Sequence, residues 1–381
     1  MVGKAGMSFF GRLLHHPRRL WVRRALLQVH LWMGLLLSLY VVVLALTGSV
    51  LVFRSELTRA LLPKGLSTYQ AGETAPIGRV LERFEEAYPG GTIADLQMPS
   101  AAMPAFRLSA RDAQGRSLAL VADAATGEAR VQPRSWVEWV YELHVYLLLG
   151  KAYGMQVNGA GSAGLLAVAV SGLVVWWPGV KLWRQRLRIG LGRRWRRVNF
   201  DLHNTIGFWT FLLVCWWAIS GVYFGWYKQV TAAVALVSRP VGMVAPRPPD
   251  LVEGGVGRAS LEQVLAAVRR ASPCGRLFSV SDPLLTGRTV YALVDLRAVG
   301  DFSHRDIVTV STRDARVLTI WHYGENGSVG DWVLWGMHPL HFGTLWGMGF
   351  KILWAVCGVG LASLSVSGVA MYWNRWLRHR L

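Results

Sequence analysis

Four histidines stand in matched pairs along the chain, and their spacing is the feature that points to chemistry. Residues 29–50 laid over 202–223 bring His30 onto His203, Gly34 onto Gly207 and Gly48 onto Gly221. Residues 143–150 laid over 340–347 bring Leu143-His144 onto Leu340-His341 and Gly150 onto Gly347. Ser171-Gly172 then meets Ser367-Gly368 after a slip of one residue. The copies differ at most other positions, so histidine and glycine are among the few types that still agree. Both halves run in the same direction, a parallel duplication rather than an inverted repeat.

A parallel duplication places His30 and His203 at one membrane depth and His144 and His341 at another. Two facing imidazoles are the axial ligand set of a low-spin b-type haem. Helical proteins build such sites from side chains on facing helices. Two pairs imply two haems per chain. Glycine on the ligand's own face leaves room for a flat ring. Gly34 lies one turn from His30 and Gly48 about five turns on, and Gly207 and Gly221 copy them. His338 lies one turn from His341 on the same face, as an alternative ligand or a hydrogen-bonding neighbour. Zinc or copper suits these positions less well, since neither pair has a third or fourth Cys, Asp or Glu ligand nearby in the chain.

The plainer reading is a histidine at a membrane edge, repeated only because the chain is duplicated. Against it stands the cost of ionisable groups in an apolar zone, which favours function. His15, His16 and His379 sit in basic tails and read as solvated, and His304 reads as a surface residue. His322, in WHYGENGSVGDW, precedes the last apolar run and is a candidate for a substrate-facing surface. The Trp residues read as interfacial anchors and core filling rather than electron relays.

The elements that must position these histidines are apolar. The chain has 381 residues, 52% of them hydrophobic, and 19 are Trp. Long apolar runs cover 31–53, 157–177, 206–227 and 346–373, each reaching the ~20 residues that cross a bilayer as helix. The net charge of +19 is not spread evenly. Residues 1–29 carry six Lys/Arg, 178–200 carry eight and 374–381 carry three, all without an acid. These segments are the two termini and the middle loop, so the charge marks a cytoplasmic face. It argues against nucleic-acid binding. The first apolar run is too long for a signal-peptide core and reads as an uncleaved helix. The three cysteines form no C-x-x-C and imply neither a disulfide framework nor a cluster site.

The expected fold class is therefore an α-helical transmembrane bundle of four main spans, with an internal parallel duplication and two small α+β modules outside. The spans are 30–53, 136–177, 201–227 and 332–373, the second and fourth each opening with an interfacial helix. The outside modules are 54–135 and 228–331. In the first, IGRVLERFEEAYP has helical spacing and FRLSAR and LALVAD alternate as strands. In the second, SLEQVLAAVRRA is helical and LFSVSD, TVYALVDL and DIVTVSTRDARVL follow as strands.

LHVYLLLGKAYG with SGLVVWWPG, and LHFGTLWG with SGVAMYW, resemble the PepSY-associated transmembrane proteins, and VADAATGE resembles the turn of a PepSY module. The resemblance runs from about residue 20 to 377. Within the family the chain resembles the ferric-siderophore reductases of the bacterial inner membrane. This resemblance implies a haem-carrying protein, both termini cytoplasmic, that reduces siderophore-bound iron, of hydroxamate type, on the periplasmic side. The family's histidines fall on His30, His144, His203 and His341. The shared Leu-His and six-residue step to Gly favour His341 over His338. Ferric iron in a hydroxamate cage is held by hard oxygens, and an added electron weakens that fit. Cytosolic pieces of 29, 23 and 8 residues are too short for a flavin or nicotinamide domain, and no G-x-G-x-x-G follows a strand. Electrons are expected from membrane quinol or a separate donor protein. The competing reading is a non-redox PepSY-type binding or regulatory protein, in which the histidines are dispensable. A transporter fits less well, because the runs 31–53 and 206–227 hold no charge inside their apolar stretches.

Overall fold

The computed structural model describes residues 21–66, 74–249, 258–297 and 303–374. The basic tails at 1–20 and 375–381, with His15, His16 and His379, lie outside the described residues. In chain order the elements are α1 (Trp21–Leu36), α2 (Ser38–Leu51), α3 (Arg54–Ala60), α4 (Ile77–Ala87), β1 (Thr92–Gln97), β2 (Ala105–Arg111), β3 (Ser117–Asp123), β4 (Ala129–Val131), α5 (Trp136–Tyr146), α6 (Lys151–Trp176), α7 (Trp183–Arg186), α8 (Trp195–Gly225), α9 (Tyr227–Val237), α10 (Leu261–Ala271), β5 (Arg276–Ser281), β6 (Thr289–Asp295), β7 (Arg305–Ser311), β8 (Val317–Tyr323), α11 (Val329–Phe342) and α12 (Gly347–Tyr372). They form two compact units. One holds Met1–Phe53, Val140–Ala232 and Leu340–Leu381; the other holds Arg54–Trp139 and Ala233–Pro339.

In the first unit α6 packs against α8 and α1, and α12 packs against α2 and α8. Its core is Val41, Ala45, Val214, Leu361 and Ala362. Small residues let backbones approach: a Cβ on Gly159 would lie 3.2 Å from Gly225 Cα. Large apolar side chains elsewhere on these helices stay exposed, such as Leu212 at 79% and Val356 at 61%. Helices apolar on their outer faces suit a lipid surround.

The second unit is an eight-stranded antiparallel sheet in the order β4-β3-β2-β1-β5-β6-β7-β8. It is two four-stranded meanders joined where β1 meets β5, with Asp95 opposite Ser281 and Gln97 opposite Ser279. Each meander has its own helix. On α4, Ile77, Val80, Leu81 and Phe84 are buried, the i, i+3, i+4, i+7 stripe that seats a helix on a sheet. On α10, a capping box between Ser260 and Gln263 sets the start, and Val264, Ala267 and Val268 are buried. The duplication reaches the last hairpins. Gly127 has φ 74° where its counterpart Ala315 has φ 54°. Their N–H groups donate to Asp123 O at 2.9 Å and Ser311 O at 3.1 Å.

The expected four-span bundle with two separate modules is corrected on two counts. Three unbroken helices, Lys151–Trp176, Trp195–Gly225 and Gly347–Tyr372, are long and apolar enough to cross a membrane, while the fourth candidate is the pair α1 and α2, bent by 63°. Leu37, with φ −87° and ψ 0°, is the residue at the break, and Ser38 Oγ beside it donates to Leu35 O at 2.8 Å. The outside segments are also not two independent modules. An open β1 or β5 edge would expose unpaired backbone groups, and pairing the two edges makes one sheet.

Candidate functional site

The helical unit holds His30, His203, His144 and His341 as two separate pairs. The His30 and His203 rings face one another with centroids 6.4 Å apart and planes at 83°. His144 and His341 do the same at 6.3 Å and 62°. His338 lies one turn before His341 in α11 and is half-buried; the ring facing His144 is that of His341.

Each ring is held through the same nitrogen. His30 Nδ1 lies 2.9 Å from Val168 O, a carbonyl that only accepts. His203 Nδ1 lies 2.8 Å from Ser367 Oγ, His144 Nδ1 3.0 Å from Thr47 Oγ1 and His341 Nδ1 2.7 Å from Ser220 Oγ. Those three hydroxyls have each committed their hydrogen within their own helix. Ser367 donates to Leu364 O at 2.8 Å, Thr47 to Val43 O at 2.6 Å and Ser220 to Trp216 O at 2.8 Å. The carbonyl makes Nδ1 the donor in His30, and with the three hydroxyl hydrogens placed within their own helices Nδ1 donates in the other rings too, leaving Nε2 its lone pair. This is the tautomer a metal-binding histidine needs, fixed by its outer partners.

The glycines beside the rings fall into two classes. A Cβ on Gly172 would lie 2.8 Å from His30 Cε1, and one on Gly48 would lie 3.0 Å from His144 Cε1. These glycines let the rings lie against a helix. A Cβ on Gly34 meets nothing within 4 Å, and one on Gly207 meets Leu364 Cδ2 at 3.7 Å. These two line a cavity of about 680 Å³ that also includes His30 and His203. That volume falls within the roughly 300–1,000 Å³ of small-molecule and cofactor sites. At the other pair, Asn158 Nδ2 donates to His144 O at 2.8 Å, and Tyr40 OH donates to Asn158 Oδ1 at 2.7 Å. Phe224 packs edge-on to His341 with centroids 5.1 Å apart.

The sequence reading missed Thr47, Ser220, Tyr40 and Asn158. For the first two a signal exists: a hydroxyl precedes Gly48 and Gly221, as one precedes Gly172 and Gly368. His322 belongs to the sheet unit. Its Nδ1 lies 2.7 Å from Asp306 Oδ1, and Ser272 Oγ donates to the other carboxylate oxygen at 2.6 Å.

The pairs suit one class of metal group. A metal–nitrogen bond of about 2 Å, with about 1.1 Å more to each ring centre, puts two axial imidazoles about 6 Å apart. The observed 6.4 and 6.3 Å match that spacing. Tetrahedral zinc calls for more ligands, and among the described residues no group of three His, Cys, Asp or Glu is placed to hold a metal ion. The residues therefore fit a planar group that supplies its own equatorial ligands.

No curated protein matches the chain. Residues 27–375 match the family model of the PepSY-associated TM region, and this membrane protein belongs to that family.

Proposed function

We propose that the chain is a haem-dependent membrane oxidoreductase that moves electrons across a bacterial inner membrane and reduces ferric siderophore in the periplasm. His30 with His203 and His144 with His341 would each hold a b-type haem. The observation that carries the reading is the repeated geometry of two facing imidazoles with Nδ1 tied back and Nε2 directed by that tie. When bound, haem supplies a one-electron couple tuned by its axial ligands and surroundings. The chain's own part is to fix ring orientation, exclude water with an apolar lining and set the spacing. His203 and Ser220, the partner of His341, are 17 residues apart in α8, about 25 Å along a helix. The two pairs thus sit toward opposite ends of one candidate span.

The ferric complex is the substrate. It gains one electron, its hard oxygen cage fits the ferrous ion less well, and iron is released. Membrane quinol or a separate donor protein supplies the electron. The basic segments 178–200 and the two tails support a cytoplasmic placement of both termini. The substrate assignment is supported by the family resemblance in the LH and SG motifs.

The test is an absorption spectrum of full-length protein in detergent, oxidised and dithionite-reduced, with haem-to-protein stoichiometry. A sharp reduced α-band with about two haems per chain is expected, and His30→Ala or His144→Ala each removes one. Adding a ferric hydroxamate siderophore to the reduced protein reoxidises it. A folded protein that stays colourless after expression with ample haem overturns the proposal.

A further inference from the structure

The repeat that aligns the histidines also aligns two arginines. Arg23 stands seven residues before His30, and Arg196 stands seven before His203. Seven residues of α-helix are close to two full turns and about 10 Å of rise. Each arginine therefore shares the face of its histidine. Both line the cavity between the two imidazoles, with Arg186 as a third guanidinium and no aspartate or glutamate in the lining. The next residue, Arg197, differs: it lies outside the lining and pairs with Asp201 at 3.0 Å.

Three guanidiniums at the rim of an otherwise mostly apolar cavity, with no acid in its lining, suit an anionic group on the ligand. The arginines, being two in register, suit two carboxylates side by side. Guanidinium binds carboxylate through parallel N–H donors. Arg23 also donates to Val175 O at 2.5 Å, which uses one of its five N–H groups and anchors the side chain against the end of α6.

We infer that Arg23 and Arg196 bind the two propionate carboxylates of the haem held by His30 and His203. The inference rests on the haem reading above. A haem carries both propionates on one edge, and the two helical turns offset both arginines from their histidines in the same direction along parallel copies of the repeat. The arginines then fix the rotation of the ring about its axial bonds and hold its carboxylates ionised.

The experiment uses the full chain in detergent, as wild type, Arg23→Gln, Arg196→Gln, the double variant and Arg196→Lys. Potentiometric titration followed by absorbance resolves the two haems, and His30→Ala identifies which is which. Haem retention is read by competition with excess apo haem-scavenging protein. In the glutamine variants the potential of the His30/His203 haem falls, because a cation that favours the added electron is gone. Its retention drops about tenfold per arginine, as for loss of a charge-assisted hydrogen bond. The His144/His341 haem keeps its potential and its spectrum, which also shows the variants are folded. Arg196→Lys restores most of the potential by keeping the charge. Unchanged potentials and retention in the double variant overturn the inference, as does an equal shift of both haems. Wild-type protein without haem sinks the haem reading itself, whereas two wild-type haems with unmoved variants sink only the arginine assignment.

Discussion

Gly34 and Gly207 offer a test with opposite outcomes for a cavity that binds a flat group and for one that binds nothing. A Cβ at Gly34 has open space around it, and one at Gly207 touches only Leu364 Cδ2 at 3.7 Å. If nothing binds between the histidines, leucine at either position is favourable. The helix gains about 0.8 kcal/mol over glycine, and the side chain adds packing contacts in space that is otherwise empty. If a haem lies there, four added carbons meet its face or edge. Overpacking of that kind costs about 1–3 kcal/mol, about 5- to 150-fold in retention. The assay is haem stoichiometry and thermal unfolding of Gly34→Leu, Gly207→Leu and the double variant, expressed with ample haem. The expected result is a fall from about two haems to about one in the double variant, with the His144/His341 spectrum retained. Gly172→Ala is the positional control. Its Cβ would lie 2.8 Å from His30 Cε1, so it displaces the ligand itself and loses the same haem. A double leucine variant that keeps two haems with unaltered spectra would refute the assignment of this cavity.

Ser220→Ala removes the acceptor that holds His341 Nδ1 at 2.7 Å. Outer-partner losses of this type cost about 10- to 100-fold in metal-group affinity, to be read as retention of the His144/His341 haem alone. Ala315→Gly is expected to stabilise the sheet unit, because an L-residue in the left-handed region costs about 1–2 kcal/mol and glycine's added chain entropy returns about 0.5–1 kcal/mol of that. A higher unfolding temperature of the full chain checks it. Asp331 is fully buried and accepts from Val241 N and Met243 N at 2.9 Å, from Ser328 N at 3.0 Å and from Ser328 Oγ at 2.9 Å. Burial pushes its carboxyl up, and the donors of Met243, Ser328, Gly242 and Val241 more than reverse this, so its pKa is lowered. Its stabilisation is therefore whole above the unfolded carboxyl pKa of about 4 and is lost as pH falls through the lower native value. Asp331→Ala is expected to cost about 3 kcal/mol near neutral pH, with the gap to wild type closing only in acid; unfolding measured from pH 7 to pH 3 reads this directly.

Why the histidine pairs were legible and their supports were not comes down to what a repeat preserves. His30 and His203 align by identity, and identity is visible in one dimension. Thr47 and Ser220 align as well, but they share a hydroxyl rather than a name, so a comparison of letters passes over them. Strands β2, β3, β5, β6 and β7 were legible as strands because alternation reports which face is buried, as on β2, where Phe106, Leu108 and Ala110 point inward, whereas β1, β4 and most of β8 were not read. Alternation does not say which edge a strand offers, and β1 meets β5 across more than 180 residues of chain. The bend of 63° between α1 and α2 was hidden because hydropathy averages composition and is blind to direction.

The feature most informative about function emerges only when sequence and helix geometry are combined. Helix α8 bears His203 at one end and Ser220 at the other, so one rigid element orients a histidine of the first pair and the partner of a histidine in the second. Any insertion between them would rotate Ser220 by about 100° per residue around α8, breaking its bond to His341 while leaving His203 in place. The 17-residue interval in α8 is therefore constrained at both ends by ring orientation. A protein that used its histidines only as membrane-edge residues would have no reason to keep that interval in register with both.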